Sequence, residues 1–268
     1  LDVINTFFMN IPKIIHQVHT RGLQGLTDVD KRAIELLKKN NPDWDYSFYD
    51  YNQMVDFIKK NYSNRYVNAF YKINPIYGAA QADYFRYLLM YKLGGAYFDV
   101  KSFTTCSLNN LILPNDDLIV FEWQGGDPRY ESFGRHEEII RGREYQQWNI
   151  ICSPYNKYLE NVIEKVTSNI ESYTVSKFKS GWYGVIHTTG PVPYTNAIHE
   201  VENQSGVRLL GSSCKNGLIF KDFYQHSTDK NHYSKQTKRV ILSRTDFVLL
   251  KIWKKISLIK NILKSRLE

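Results

Sequence analysis

The chain has 268 residues, 43% of them hydrophobic, with 35 Lys and Arg against 27 Asp and Glu, a formal net charge of +8. That apolar content excludes a disordered chain, and the length with no long linker fits one α/β domain with decorations. No uncharged apolar run reaches about 18 residues, so no membrane-spanning helix is evident. The charge points to anionic partners, whether phosphate-bearing ligands, acidic membrane or nucleic acid, without choosing among them. Cys106, Cys152 and Cys214 form no CxxC pair. They fit buried thiols of a reducing compartment better than a disulfide framework or zinc site, with one optional bridge in a secretory lumen left open.

In chain order, IPKIIHQVHT sets Pro12 ahead of Ile14, Ile15 and Val18 and reads as a first strand. Residues 28 to 40 follow as an amphipathic helix capped by Thr27 or Asp28. Its Asp28-Val29-Asp30 string suits a helix start, where acids complement the dipole and cap free amides. Asp43-Trp44-Asp45 falls in a turn before a strand at Tyr46 to Tyr49, and Asp50 at that strand's end suits a turn as well as a ligand. A helix is expected from Met54 to Ala69, broken by Asn74-Pro75.

The stretch from Gly78 to Thr105 joins a helix, a stop and a strand. Ala82, Phe85, Leu88, Leu89 and Leu93 recur at helical spacing, predicting one buried face, and Asp83 and Arg86 share a face three residues apart. Gly94 and Gly95 end the helix. In Ala96 to Lys101 the alternation sets Phe98 and Val100 on one face and Tyr97, Asp99 and Lys101 on the other. An acid and a base thus emerge together at a strand end, where open α/β sheets bind ligands.

Further strands are predicted at Leu118 to Trp123 and Trp148 to Cys152. Between them the polar, glycine-rich stretch 124 to 147 is either a loop over the site or a surface insertion. Core packing is the better account of Trp148. A helix from Lys157 to Tyr173 follows, then the turn Thr189-Gly190-Pro191 and a helix from Thr195 to Glu200. His187 and His199 show no metal-ligand spacing. From Arg244 to Glu268, Leu249, Ile252, Ile256, Ile259 and Leu263 make one stripe, with lysines elsewhere. This basic amphipathic helix suits peripheral membrane contact or packing on protein. The boundaries expected are a domain over 1–240 and the helix over 241–268.

The order A-x-x-A-D-x-x-R-Y from Ala79 to Tyr87, then GG-x-Y-x-D from Gly94 to Asp99, resembles glycosyltransferase family 32, the DXD sugar-binding group. The resemblance runs to about residue 235. It implies a GT-A, Rossmann-like fold with a mostly parallel sheet flanked by helices, a UDP- or GDP-linked donor sugar, a glycan or protein hydroxyl acceptor, and transfer with retention. By position, Asp83 and Arg86 hold donor hydroxyls and Asp99 is the first DXD aspartate. His16, Gln17 and His19 become candidates for base or ribose contacts, with Tyr97, Thr189, Gly190 and His232 added to the donor site. The resemblance also implies Mn2+ or Mg2+ on the second aspartate, but Lys101 stands there.

Three readings of Lys101 remain. It supplies the cation itself, making the transfer metal-independent; it only pairs with Asp99 or faces solvent; or a metal stays on Asp99 with other ligands. A catalytically inactive sugar-binding module is the rival function. No nucleic-acid reader motif is present, so no nucleic-acid partner is expected. The chain opens on Leu1, so an upstream anchor would be invisible. The expected place is the cytoplasm, peripheral on a membrane, or the Golgi lumen if such an anchor was removed.

Overall fold

The computed structural model describes residues 10–202, 205–220, 236–249 and 252. A six-stranded sheet runs in the order β2-β1-β3-β6-β5-β7. Its strands are β1 (Ile14–Val18), β2 (Asp45–Tyr49), β3 (Gly95–Phe98), β5 (Leu118–Glu122), β6 (Asn149–Cys152) and β7 (Val207–Ser212). A separate ribbon pairs β4 (Ser102–Thr104) with β8 (Leu218–Phe220). Only β6 runs against its neighbours, pairing antiparallel with β3 and β5, while β1–β2, β1–β3 and β5–β7 are parallel.

That topology decides where the chemistry gathers. The C-terminal ends of β1, β3 and β5 and the N-terminal end of β6 open on one edge of the sheet, which brings the residues after Val18, Phe98 and Glu122 beside those before Asn149.

Strand alternation splits the core in two. Tyr97, Leu118, Val120, Ile150 and Cys152 face a helical layer that includes α2 (Tyr51–Asn61), α3 (Asn64–Lys72), α4 (Gly78–Leu93), α5 (Lys157–Glu171) and α8 (Pro191–Glu200). Ala96, Phe98, Ile119, Phe121 and Ile151 face α1 (Asp28–Asn40) and β4. Two further helices, α6 (Val175–Phe178) and α7 (Gly181–Thr188), lead into α8. The expected mostly parallel α/β sheet with helices on both faces is present.

Several boundaries differ from expectation. The single helix predicted over 54 to 69 is two, α2 and α3, with Tyr62 and Ser63 extended between them. Helix α4 is buried from Asp83 to Met90 on every side rather than on one face, because helices pack beside it and the sheet lies beneath. Thr27 and Asp30 form a capping box, so Asp28-Val29-Asp30 is a helix start, and Asp50 caps α2 in the same way. Of the three thiols only Cys152 is buried; Cys106 and Cys214 are exposed. Residues 244–249 are helical, and the rest of the expected basic helix lies largely outside the described residues, as does His232. Among the described residues no helix is long and apolar enough to cross a membrane.

Candidate active site

Gly94 and Gly95 make the site possible. Gly94 caps α4 at φ 65° and Gly95 follows at φ 95°, a left-handed pair that turns the chain from helix straight into β3. A Cβ on Gly94 would sit 2.6 Å from the Pro154 nitrogen, and one on Gly95 would sit 2.4 Å from the Ile14 carbonyl oxygen. The tight turn lays α4 beside the strand it precedes, so that Asp83 and Arg86 meet Asp99.

Arg86 is the hub. Its guanidinium donates through Nη2 to Asp83 Oδ1, and through Nη1 to Asp99 Oδ1 at 3.2 Å and to the Gln147 carbonyl at 2.8 Å. Its carbon lies 4.9 Å from the Tyr97 ring centre. Asp83 Oδ2 accepts the Thr189 hydroxyl at 3.0 Å. The Tyr87 hydroxyl donates to the Thr189 carbonyl at 2.9 Å and also meets the Gln147 side-chain amide. Asp99 Oδ1 takes a second hydrogen bond from the Tyr97 hydroxyl at 3.0 Å, while Lys101 Nζ lies 3.8 Å from Oδ2.

Burial sets the electrostatics. Asp83 and Arg86 are 3% and 5% exposed. Desolvation pushes the Asp83 carboxyl up to about 6, against the pull of Arg86 and the Thr189 hydroxyl. Burial works against the charged Arg86 as well, but the negative groups beside it outweigh this and leave its pKa raised. Arg86 is therefore a fixed cation, whereas Asp83 is poised to titrate.

These groups open into a cleft of about 900 Å3 bordered by Asp83, Arg86, Tyr97, Asp99, Lys101 and Gly190. The turn Thr189-Gly190-Pro191 is the α7–α8 junction, with Gly190 as the α8 N-cap. Thr189 itself is fully buried and reaches the site through Asp83.

His16 and Gln17 do not border the cleft. Both are fully buried in the middle of the sheet. His16 donates from Nε2 to the Gly94 carbonyl, and burial lowers its pKa to about 4, so it is neutral and structural. Gln17 donates to the Asp99 carbonyl at 3.2 Å and accepts from the Tyr46 hydroxyl, holding the turn that carries Asp99. Of the three candidates near the first strand only His19, just past its end, borders the cleft, together with Thr20 and Arg21.

The 124 to 147 stretch borders the cleft, the first of the two alternatives expected for it, and forms a second wall. Within the 124 to 147 stretch, Glu144 accepts the Trp123 indole N–H at 2.8 Å and faces His136 Nε2 at 3.1 Å. That contact raises the His136 pKa. Trp148 stacks on Phe220 at 5.1 Å, and its carbonyl accepts the Asp99 N–H at 2.8 Å. The length and polarity of the stretch signalled the wall; its individual contacts, such as Trp148 on Phe220, span distances in sequence that no local pattern records.

Both oxygens of Asp99 face cations and those of Asp83 already accept from Arg86 and Thr189, so a divalent metal here would meet a carboxylate already paired with positive charge and would draw most of its ligands from water and a diphosphate. Among the described residues no group of three or more His, Cys, Asp or Glu could hold an ion.

An acid–guanidinium cluster thus stands at parallel strand ends beside a large cleft. Residues 27–118, about a third of the chain, match the family described as "glycosyltransferase sugar-binding region containing DXD motif". The chain is similar to an initiation-specific alpha-1,6-mannosyltransferase of Schizosaccharomyces pombe, 24% identical over 215 residues, 74% of this chain and 50% of that protein. An uncharacterized glycosyltransferase of Acanthamoeba polyphaga mimivirus is 31% identical over 90 residues, 34% of this chain and 35% of that protein. The chain thus spans half or less of these relatives' length. Among solved structures, the PaToxG glycosyltransferase aligns at 16% identity over 71% of this chain and 69% of its own, with TM-score 0.48. The UDP-bound glycosyltransferase domain from the YGT toxin aligns at 9% identity over 74% and 79%, also with TM-score 0.48.

Proposed function

We propose that the chain transfers a sugar from a UDP- or GDP-linked donor to a hydroxyl of a glycan or protein acceptor, in glycan or polysaccharide assembly, without a metal on its Asp-Val-Lys motif. The observation that carries this reading is the pairing of both Asp99 oxygens with cations, Arg86 on one and Lys101 on the other, at the floor of the cleft.

Asp83 keeps unused lone pairs on oxygens already fixed by Arg86 and Thr189, so it can accept hydrogen bonds from donor hydroxyls. Transfer then proceeds with retention at one face of the sugar. The acceptor oxygen bonds to the anomeric carbon as the bond to the phosphate oxygen breaks. The electron pair leaves with the diphosphate, and the acceptor's proton passes to that leaving phosphate. The protein's part is to hold the reactants and to set cations where negative charge develops. Lys101 is that cation in this reading, with Arg86 behind Asp99. Outside the described residues, His232 is proposed as a further contact to the diphosphate, and the basic C-terminal segment as the membrane-facing element of a peripheral protein.

The test is diphosphate release from a panel of nucleotide sugars, with EDTA or with manganese, beside binding by calorimetry. Release that survives EDTA and collapses in Lys101→Ala is the expected result. Release only with manganese would return a metal to Asp99, and binding with no release from any donor would leave an inactive binding module.

A further inference from the structure

A second cavity, of about 360 Å3, lies beside the main cleft, and the two share Trp123 and Phe220 as a common wall. Nothing in the transfer step uses it. Its apolar side is an aromatic cluster around Phe220. The ring centres of Trp123 and Tyr130 lie 5.3 and 5.5 Å from that of Phe220, and 5.8 Å from each other. The Tyr130 ring is held by packing on Trp123, Phe133 and Phe220, and its hydroxyl also donates to the Phe220 carbonyl at 3.0 Å.

Phe103, Leu218 and Ile219 add apolar surface, and Thr105, Ser212 and Ser213 contribute hydroxyls beside the Gln146 amide, which already bonds the Glu122 carbonyl and Asn149. The two charged residues of the described lining, Asp127 and Arg129, pair with each other. The ligand that matches both sides has an apolar face and a rim of hydroxyls, which describes a pyranose ring. Its axial C–H bonds carry slight positive charge and meet the negative faces of aromatic rings, while its hydroxyls take up Ser, Thr and Gln.

The shared wall leads to the reacting groups. Lys101 Nζ lies 5.4 Å from the Phe220 ring centre, and Trp148, stacked on Phe220, holds the Asp99 amide through its carbonyl. A sugar seated in the second cavity is therefore next to the cleft floor but separated from it by Trp123 and Phe220.

We infer that this cavity is an acceptor subsite for a neutral pyranose ring one unit removed from the reacting hydroxyl, so that the acceptor is a carbohydrate of at least two linked sugars. The inference rests on the transferase reading of the main cleft.

The experiment uses the full chain with a hydrolysable nucleotide-sugar donor. Diphosphate release is measured alone, and then with neutral disaccharides, with the methyl glycosides of their component monosaccharides, or with a serine- and threonine-containing peptide. Disaccharides are expected to raise release saturably, at concentrations at least about tenfold below those the monosaccharide glycosides need. Tyr130→Ala should raise the half-saturating disaccharide concentration on the order of tenfold, the value of one well-packed ring contact. Tyr130→Phe, which keeps the ring, should stay near the wild-type value. Release without acceptor should be the same in all three proteins. Equal stimulation in Tyr130→Ala, stimulation by peptide alone, or no advantage of disaccharide over monosaccharide would each overturn the inference. If no donor is cleaved, the transferase reading fails on its own. Ligand-observed NMR of the disaccharide then still decides the cavity, since binding must be seen with wild type and lost in Tyr130→Ala.

Discussion

Replacing Lys101 by alanine separates its structural from its chemical role. Its ammonium lies 3.8 Å from Asp99 Oδ2, with both side chains about a quarter exposed, at 26% and 22%. At an effective dielectric of about 20 the gross attraction over that distance is about 4 kcal/mol. Solvation and the entropy of ordering a lysine cancel most of this, and pairs of such exposure are worth about 0.2–1 kcal/mol net. Asp99 also keeps Arg86 and Tyr97 as partners. Lys101→Ala should therefore lower stability by less than about 1 kcal/mol. The same cation aimed at a leaving diphosphate acts where charge develops, and loss of one such group costs roughly 100- to 1000-fold in kcat. Thermal melting and diphosphate release with EDTA, on the same preparations, read the two effects. Lys101→Arg should retain part of the rate, and Lys101→Asp, which completes a DXD string, should make release depend on manganese. A Lys101→Ala protein with wild-type kcat, or one whose rate loss matches its loss of folded protein, would refute the argument.

The buried Asp83–Arg86 pair gives a second prediction: Arg86→Met strands Asp83 without its cation at a cost of about 3–5 kcal/mol, or a fall in Tm of roughly 6 to 20 °C, read by calorimetry. The double variant Asp83→Leu with Arg86→Met should recover part of that loss, because no lone charge remains buried. Asp83 also sets a pH dependence, its folded pKa of about 6 lying above the ordinary value of 3.8. The native state binds that proton more tightly than the unfolded chain, so the contribution to stability is full below 3.8 and is lost as pH rises through about 6. Donor affinity runs the opposite way, weakening as pH falls through about 6 and the acceptor carboxylate is protonated; both trends should vanish in Asp83→Asn when melts and donor titrations are compared with wild type. Gly94→Ala forces a Cβ to within 2.6 Å of the Pro154 nitrogen at a φ of 65°, and should destabilise by more than about 1 kcal/mol in denaturant titrations.

The acid, the guanidinium and the glycine turn were legible because their relations are local. Asp83 and Arg86 are one helical turn apart, and Gly94-Gly95 sets the helix against the strand that carries Asp99 only a few residues later. The helix α4 misleads for the opposite reason: its apolar spacing reports one face, but its polar pair is buried too, satisfied by Gln147 and Thr189 from far along the chain. His16 and Gln17 show how register overrides residue type. A histidine and a glutamine look like ligand groups, yet β1 lies between β2 and β3, so mid-strand side chains are packed on both faces and only residues past Val18 leave the sheet. The ring cluster of Trp123, Tyr130 and Phe220 is the extreme case. Tyr130 and Phe220 lie 90 residues apart, and Trp123 farther still from Phe220, and they come together only because β8 pairs back on β4, directly after Lys101. The proposed donor chemistry is thus written in one short stretch of this chain, whereas the proposed acceptor wall is assembled from separate loops and is free to vary without disturbing the charge cluster beside it.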